Sequence, residues 1–138
     1  MPNGACLCGA VRFAVEGELP APDICHCAQC RAWSGHCFAS TDVPRERLTV
    51  HGAEHVSWHR SSDKVRRGFC SICGASLFWD PLHRDWTAIA MGAFENPTGT
   101  RADKHIFVHR KGDYYDIADG LPRFGPDPAS EWRPDGGD

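Results

Sequence analysis

Short alternations of apolar and polar residues dominate this chain, and β-branched or aromatic residues are frequent within them. A period of two places one face of a strand in a core and the other face toward solvent. Gly, Pro, Asp and Ser separate these runs, as is typical of turns between short strands. The pattern predicts strands over residues 10–15, 37–41, 48–51, 56–60, 64–69, 75–79, 86–91, 105–108 and 114–117.

Helical periodicity is nearly missing from the sequence. No stretch keeps an apolar stripe at the i, i+3, i+4, i+7 spacing for about three turns, and only a short helix around residues 28–33 is expected. We therefore predict a mainly β fold, a single domain of short antiparallel coiled sheets over residues 1–125. Residues 126–138 are rich in Pro, Gly and acidic residues, which predicts a flexible acidic tail with local docking of Trp132.

Length and charge limit the function classes. The 138 residues suit one compact domain, and the formal net charge of −3 gives no electrostatic argument for binding nucleic acid or an anionic membrane. No apolar run approaches the roughly 18–20 residues that a membrane helix needs, and no signal peptide is visible. We expect a cytoplasmic protein that binds neither membrane nor nucleic acid, with an oligomeric state that the sequence does not indicate.

Seven of the eight cysteines fall into three clusters. The clusters contain two, three and two cysteines at Cys-x-Cys and Cys-x-x-Cys spacings, which suit ligands of a shared metal ion. A secreted disulfide framework is the alternative for an even number of cysteines, but it is disfavoured without a signal peptide. The clustered residues are Cys6 and Cys8; Cys25, Cys27 and Cys30; and Cys70 and Cys73.

The two outer pairs are alike, since Cys8 and Cys73 each precede Gly-Ala. A glycine there permits φ > 0 and turns backbone N–H groups toward the sulfurs, which offsets the charge of several thiolates. Together with Cys6 and Cys70, these residues predict one closed four-cysteine zinc site of the zinc-knuckle type. Such a site contributes on the order of 10 kcal/mol to folding.

The central cluster offers three ligands, Cys25, Cys27 and Cys30, and therefore predicts a second zinc with an open position. The fourth ligand is left open by the sequence: the candidates are His26, His36, Cys37, a water or an exogenous thiol. The position of His26 between two ligands indicates a side chain that points away from the metal, and Cys37 has the apolar neighbours of a core strand residue. Three thiolates make zinc a poor source of hydroxide but a good partner for a substrate thiolate, which favours thiol chemistry over hydrolysis.

Four stretches in order, GACLCGAVRF, CHCAQCRAWSG, RGFCSICGASLFWD and HIFVHRKGDYYDIADGLPRF, resemble the glutathione-dependent formaldehyde-activating enzyme family over residues 4–124. The resemblance implies an all-β zinc fold with carbon–sulfur lyase activity, the reversible addition of glutathione to formaldehyde that gives S-hydroxymethylglutathione. By position, it implies structural zinc ligands at Cys6, Cys8, Cys70 and Cys73. It also implies active-site, catalytic zinc ligands at Cys25, Cys27 and Cys30.

The sequence does not single out the groups that would assist such a reaction. A proton for the alkoxide could come from one of four histidines, since histidine titrates near neutral pH, but no spacing selects among His26, His36, His105 and His109. Cations that could hold the carboxylates of glutathione are Arg31, Lys64, Arg66, Arg67, Arg101, Lys104 and Arg123. Arg31 directly follows a predicted zinc ligand and is the first choice for a role in binding glutathione as cofactor.

Two other classes of function remain as alternatives at this point. One is a zinc-stabilised module that binds protein or nucleic acid without catalysis, as centromere protein V, a member of the same family, suggests. A long basic extension would favour that module, whereas this chain ends in an acidic stretch. The other is a redox or zinc-sensing role, which requires reversible oxidation of the central cysteines. The sequence favours the enzyme, with a small thiol, glutathione, and an aldehyde as partners.

Overall fold

The computed structural model describes residues 1–132, so residues 133–138 of the predicted tail lie outside the described residues. The chain divides into two compact units, each built from two segments. Unit 1 comprises Met1–Pro20 and Ser40–Thr100, and unit 2 comprises Ala21–Ala39 and the chain from Arg101 onward. The single domain expected over residues 1–125 stays a prediction.

Strands account for most of the regular structure in the described residues, which confirms the mainly β prediction. The strands are β1 (Asn3–Ala5), β2 (Arg12–Val15), β3 (Asp23–Cys25), β4 (Phe38–Pro44), β5 (Leu48–His51), β6 (Val56–Arg60), β7 (Val65–Cys70), β8 (Ser76–Pro81), β9 (Trp86–Ala90) and β10 (Lys104–Ile106). The helix α1 is Ala28–Ser34, and single 3₁₀ turns span Arg45–Arg47, Ala53–His55, Met91–Ala93 and Val108–Arg110.

Unit 1 contains two antiparallel arrangements of strands. The first has the order β1-β2-β5, and in the second β4 pairs with β9, β9 with β8, β8 with β7 and β7 with β6. Alternate residues of β2 face the core, because Phe13 and Val15 are buried while Arg12 is exposed. Phe13 makes edge contacts with Phe78 and Phe94, with ring centroids 6.0 and 5.0 Å apart. These contacts join the two arrangements through one hydrophobic core.

Unit 2 combines one parallel strand pair with the helix α1. β3 runs parallel to β10, with Cys25 opposite Ile106. The next amide continues the pairing, since the His26 N–H donates to the Ile106 carbonyl at 3.1 Å. Cys27 is the N-cap of α1, and Gly35 is its C-cap, with a φ of 89° in the left-handed region that favours glycine. Unit 2 thus places the central cysteines at the junction of a strand end and a helix start.

The described part of the predicted tail returns to unit 2. Glu131 forms an antiparallel bridge with Phe124, and the Trp132 N–H donates to the Arg123 carbonyl at 2.7 Å. The Trp132 side chain lies against Gly125, where a Cβ would approach its ring to 2.4 Å. This is a local contact of the kind predicted for Trp132.

Two of the predicted strands, 48–51 and 56–60, match the structure residue for residue, and the predicted helix lies within α1. The predicted strand 114–117 is wrong, because the chain there forms a turn and irregular backbone. The Lys111 ammonium donates to the carbonyls of Gly112 and Tyr115, which holds this segment in a local loop. The strands β1 and β3 were missed because three residues are too few to show alternation. The parallel pairing of β3 with β10 also departs from the antiparallel expectation.

Candidate metal centres

The four outer cysteines converge in unit 1. Their sulfur atoms all lie within 4.8 Å of one another. The Cys6 and Cys8 sulfurs are 3.7 Å apart, and those of Cys8 and Cys70 are 3.8 Å apart. Zinc–sulfur bonds of about 2.3 Å in a tetrahedron separate the sulfurs by about 3.8 Å. The spacing of these sulfurs, which belong to residues about sixty positions apart, therefore fits a closed tetrahedral zinc site.

The two halves of this cluster are built alike from backbone hydrogen bonds. The N–H of Cys6 donates to the Val11 carbonyl and that of Cys70 to the Ala75 carbonyl, both at 3.0 Å. Each loop also turns an N–H toward a sulfur: Val11 donates to Cys6 Sγ at 3.3 Å, and Ile72 donates to Cys70 Sγ at 3.4 Å. Such donors stabilise thiolates crowded around one cation.

Glycine allows the backbone conformation that both cysteine loops adopt. Gly9 and Gly74 follow Cys8 and Cys73, and their φ angles are +80° and +78°. These angles confirm the positive φ predicted for both glycines. A residue with a side chain would be strained there. The loop amides also act on the ligands, because a hydrogen bond from the Ala75 N–H is the main cause that lowers the pKa of Cys73 to about 6. A thiolate is thus favoured at this position near neutral pH.

The three central cysteines converge in unit 2, with all three sulfurs within 4.8 Å of one another. Cys25 is the last residue of β3, Cys27 is the N-cap of α1 and Cys30 lies in its first turn. Cys27 Sγ accepts a hydrogen bond from the Cys30 N–H at 3.3 Å. Cys25 and Cys30 are buried, whereas Cys27 is half-buried. The donor set consists of soft sulfur atoms with one partly open side, which fits a zinc ion with an exchangeable position.

Crowding of these thiols makes the cluster unfavourable for negative charge unless a cation is present. Hydrogen bonds with Cys27 and Cys30 raise the pKa of Cys25, and burial raises it further. A bound cation would reverse this, because a coordinating thiol loses its proton. Neither His36 nor Cys37, named as possible fourth ligands, joins this cluster within the described residues.

His26 lies between two of these cysteines, but its side chain belongs to a different set of contacts. It is 1% exposed, and both ring nitrogens have partners. Nδ1 lies 2.5 Å from the Tyr115 hydroxyl, and Nε2 lies 2.8 Å from Nδ1 of His105. Burial, followed by the charge of His105, lowers the pKa of His26 to about 4. His26 is therefore neutral near pH 7 and directs its ring nitrogens to these partners.

The chain of contacts continues from His105 to Asp119, whose carboxylate oxygens lie 2.8 and 3.1 Å from His105 Nε2. A carboxylate only accepts, so His105 Nε2 carries the proton. When both imidazoles are neutral, His105 Nδ1 must accept from His26 Nε2, and His26 Nδ1 must accept from Tyr115. One direction of donation then satisfies every group, and the Tyr115 hydroxyl is committed as a donor to His26.

Aromatic and cationic side chains surround Tyr115. The His36 ring makes an edge contact with the Tyr115 ring at 4.6 Å between centroids, and His36 Nδ1 lies 2.9 Å from the Tyr114 hydroxyl. The Lys111 ammonium sits 4.6 Å from the centre of the Tyr115 ring. Arg31, in α1, donates from Nη2 to the Arg110 carbonyl at 3.2 Å. Its buried Nε has no hydrogen-bond partner in residues 1–132.

The other cationic side chains named from the sequence as possible ligands of glutathione lie in both units. Lys64, Arg66 and Arg67 belong to unit 1, whereas Arg101, Lys104 and Arg123 are exposed residues of unit 2. Arg66 is engaged by Asp80, and Arg67 is 4% exposed, with Nε near Ser61 Oγ at 3.4 Å. Arg31 shares unit 2 with the three-cysteine cluster.

The sequence reasoning did not name Tyr115 and Asp119, which contact His26 and His105 in the structure. Tyr115 lies 89 residues and His105 lies 79 residues from His26 in the sequence, so no local spacing connects these three residues. The available signal was the polar, aromatic composition of GDYYDIADG, which interrupts the strand pattern.

A family model described as glutathione-dependent formaldehyde-activating enzyme matches residues 1–110. This match covers most of the chain and contains all seven clustered cysteines. The chain belongs to this family.

Relatives of this family member agree with the match. A protein of Halomonas elongata named "putative glutathione-dependent formaldehyde-activating enzyme" is 31% identical over 125 residues, which cover 83% of this chain and 80% of the relative. A Schizosaccharomyces pombe protein described as an uncharacterized lyase is 28% identical over 123 residues, covering 88% of this chain and 89% of that protein. The names of these relatives support an enzyme of the lyase type.

A solved structure shows the same fold. A crystal structure of a Rhodobacter sphaeroides protein aligns with a TM-score of 0.55 and 22% identity, over 68% of this chain and 88% of that chain. Within residues 1–132, no helix of this family member combines the length and apolar character that crossing a membrane requires.

Proposed function

We propose that the protein is a carbon–sulfur lyase that acts on a thiol adduct, as its family name suggests for glutathione and formaldehyde. The reaction would be the reversible condensation of glutathione with formaldehyde to S-hydroxymethylglutathione. The observation that carries this proposal is the cluster of three sulfurs, Cys25, Cys27 and Cys30, within 4.8 Å of one another. Three ligands leave one position for an exogenous group.

In this proposal, each unit holds one zinc ion. Cys6, Cys8, Cys70 and Cys73 would hold a structural zinc in unit 1, because four sulfurs complete a tetrahedron. Cys25, Cys27 and Cys30 would hold the second in unit 2. A zinc ion bound there supplies a soft Lewis acid that keeps a substrate sulfur as thiolate near neutral pH.

The bond changes are simple, and the protein groups have separate tasks. The substrate thiolate adds to the aldehyde carbon, so that a C–S bond forms while the C=O π bond breaks. The electron pair of the π bond goes to the oxygen, which then takes a proton. Arg31 follows Cys30 in α1, and its guanidinium would bind a carboxylate of glutathione. The buried Nε that lacks a partner in the described residues supports a role for Arg31 beyond its contact with Arg110.

The contacts of the histidines limit which of them can supply the proton. His26 and His105 have both ring nitrogens engaged and buried, so neither donates directly to a substrate. His36 is exposed and uses Nδ1 to contact Tyr114, which leaves Nε2 for exchange with solvent or substrate. We assign His36 as the group that supplies the proton at Nε2.

Two measurements test this function. Exchange spectroscopy with ¹³C-formaldehyde and glutathione should show faster interconversion with S-hydroxymethylglutathione when the protein is present. The rate should fall by at least about 100-fold in Cys27→Ser, the scale of losing a group that positions the nucleophile.

The second measurement is the zinc content of the protein. Glutathione should release one of two zinc ions or change its coordination, whereas S-methylglutathione should leave both unchanged. Unchanged exchange would exclude this substrate pair, and two zinc ions indifferent to glutathione would favour a non-catalytic zinc module.

A further inference from the structure

A cavity of about 220 Å³ lies within unit 1, and the proposed lyase reaction does not use it. Leu48 and Val50 of β5 form one apolar side. They share a face because they are two residues apart on a strand. Trp58 of β6 and Phe78 of β8 line it as well, with their rings stacked at 6.1 Å between centroids. Most of the cavity wall is therefore hydrocarbon and aromatic surface.

One end of the cavity is charged. Asp80 has a side chain only 1% exposed and contacts two guanidinium groups. Arg66 Nε donates to Asp80 Oδ2 at 2.7 Å, and Arg45 Nη1 donates to Asp80 Oδ1. Two positive charges meet one negative charge, so this end of the cavity keeps a net charge of +1.

The two arginines differ in their remaining capacity. Arg45 also donates to the carbonyls of Pro81 and Arg84, so all three of its nitrogens are engaged. Within the described residues, the side chain of Arg66 donates one hydrogen bond, from Nε to Asp80. Its guanidinium lies 3.8 Å from the centre of the Trp58 ring, which fixes its plane. The two terminal nitrogens of Arg66 are therefore held at the cavity with donors to spare.

Size and charge together define the ligand. A dry apolar cavity of about 150 Å³ binds benzene in another protein, so about 220 Å³ accommodates an aromatic ring or short branched chain with a small polar group. Spare donors on a guanidinium match a carboxylate in a bidentate arrangement. We propose that this cavity is a binding site for a small monocarboxylate with a compact apolar body, held by Arg66 and the walls of Leu48, Val50 and Trp58.

The test measures binding and does not depend on lyase activity. The zinc-loaded protein, with Leu, Val and Ile methyl groups ¹³C-labelled, is titrated with benzoate, benzamide and benzylammonium up to about 10 mM. We expect benzoate to shift the methyl signals of Leu48 and Val50, with nuclear Overhauser effects between them and the ring. Benzamide should bind at least about tenfold more weakly because it lacks the charge, and benzylammonium should not bind.

Two variants distinguish the contribution of the cavity space to benzoate binding from that of the Arg66 guanidinium. Ala53→Leu places a larger side chain at the exposed lining residue Ala53 and leaves the ion pairs intact, and it should weaken benzoate binding at least about tenfold. Arg66→Lys keeps a positive charge beside Asp80 but loses the bidentate geometry, and it should lose most of the preference for benzoate over benzamide. Ala129→Leu, at an exposed alanine of unit 2, is the matched control and should bind benzoate as the natural chain does.

Several results would overturn this assignment. Absence of any methyl shift with benzoate at about 10 mM would do so, as would equal affinities for benzoate and benzamide. Overhauser contacts to methyl groups outside the cavity lining, or benzoate binding unchanged in Ala53→Leu, would show that the ligand lies elsewhere. None of these results would bear on the three-cysteine cluster, since the measurement is independent of it.

Discussion

Cys27 makes two interactions with one sulfur atom. It is one of three clustered sulfurs in unit 2, and it also accepts the N-cap hydrogen bond from the Cys30 N–H. Serine is among the preferred N-cap residues, so its hydroxyl can replace the cap but not the soft metal ligand. The proposed role of Cys27 as a metal ligand can therefore be separated from its N-cap hydrogen bond by a single substitution.

Replacing Cys27 by serine is expected to leave the fold intact while abolishing one metal site. Cys73→Ser should instead prevent folding of unit 1, because a structural zinc contributes on the order of 10 kcal/mol, comparable with the whole stability of a domain. Zinc content and cooperative urea unfolding measure the two outcomes. Cys37→Ser is the control, since Cys37 lies outside both clusters. Equal unfolding of the Cys27 and Cys73 variants would contradict the division into structural and open sites.

Neighbouring tyrosines are expected to differ in their effect on stability. Tyr115→Phe leaves Nδ1 of His26 buried without its partner, which should cost about 1–3 kcal/mol in the free energy of unfolding. Tyr114→Phe is the matched control and should change stability by less than about 0.5 kcal/mol, because Tyr114 is 59% exposed and its partner His36 is exposed too. Similar unfolding free energies for the two variants would show that the contact of Tyr115 with His26 contributes little.

The direction of donation along the buried histidines is a second measurable property at this scale. We expect His26 and His105 both to carry their proton on Nε2, with Nδ1 as acceptor. Long-range ¹H–¹⁵N correlation spectra distinguish the two ring nitrogens directly. A proton on Nδ1 of His26 would mean that His105 is an imidazolium and that Tyr115 accepts instead of donating.

At the scale of elements, Asp80 ties β8 to β7 and to the turn that begins at Arg45. The residue faces Arg66 across the two strands, so their ion pair follows from the register. Burial raises the pKa of Asp80, but hydrogen bonds from Arg66 and Arg45 outweigh it and leave the pKa below 3.8. The carboxylate is therefore more strongly ionised in the folded than in the unfolded chain.

Asp80→Asn is expected to lower the free energy of unfolding by about 2 kcal/mol at pH 6. This is less than the 3–5 kcal/mol for one partner of a fully buried pair, because both guanidiniums are more than a third exposed. Since the folded pKa is lowered, the contribution of Asp80 is complete above the unfolded value of about 3.9 and is lost as pH falls through the folded pKa.

Urea unfolding at several pH values between about 6 and about 3 measures this contribution. The gap between the natural chain and Asp80→Asn should narrow as the pH falls below about 4, while Asp63→Asn, at an exposed aspartate, should stay level with the natural chain throughout. A gap that stays constant with pH would assign the loss to packing and not to the charge of Asp80.

At the scale of the whole molecule, the two cysteine clusters belong to different compact units, so they should lose metal separately. A chelator is expected to remove the zinc proposed for Cys25, Cys27 and Cys30 first, because three ligands would leave the ion accessible, without a change in far-ultraviolet circular dichroism. Removal of the second zinc should coincide with unfolding of unit 1. Zinc release followed by a colorimetric chelator together with dichroism measures both phases, and Cys27→Ser should show only the second.

Simultaneous loss of both ions with unfolding would show that the clusters depend on each other. Loss of the four-cysteine zinc without unfolding would remove the structural role that Cys6, Cys8, Cys70 and Cys73 have in the proposed function.

The sequence determined the features that depend on neighbouring residues. Cys-x-Cys and Cys-x-x-Cys spacings bring ligands together within one loop, and glycine after Cys8 and Cys73 allows the positive φ that these loops need. Alternation over four or more residues predicted β5 and β6 with their bounds. Such features are local, so the sequence pattern is enough to predict them.

Only the tertiary structure decided which distant side chains meet. The contact of His26 with Tyr115 joins residues 89 positions apart, and the parallel pairing of β3 with β10 brings His105 beside His26. The cavity likewise depends on the register that sets Arg66 opposite Asp80 and on the approach of β5. These contacts result from packing of a whole unit, in which a polar side chain takes whichever buried partner the fold supplies, and no local pattern encodes that partner.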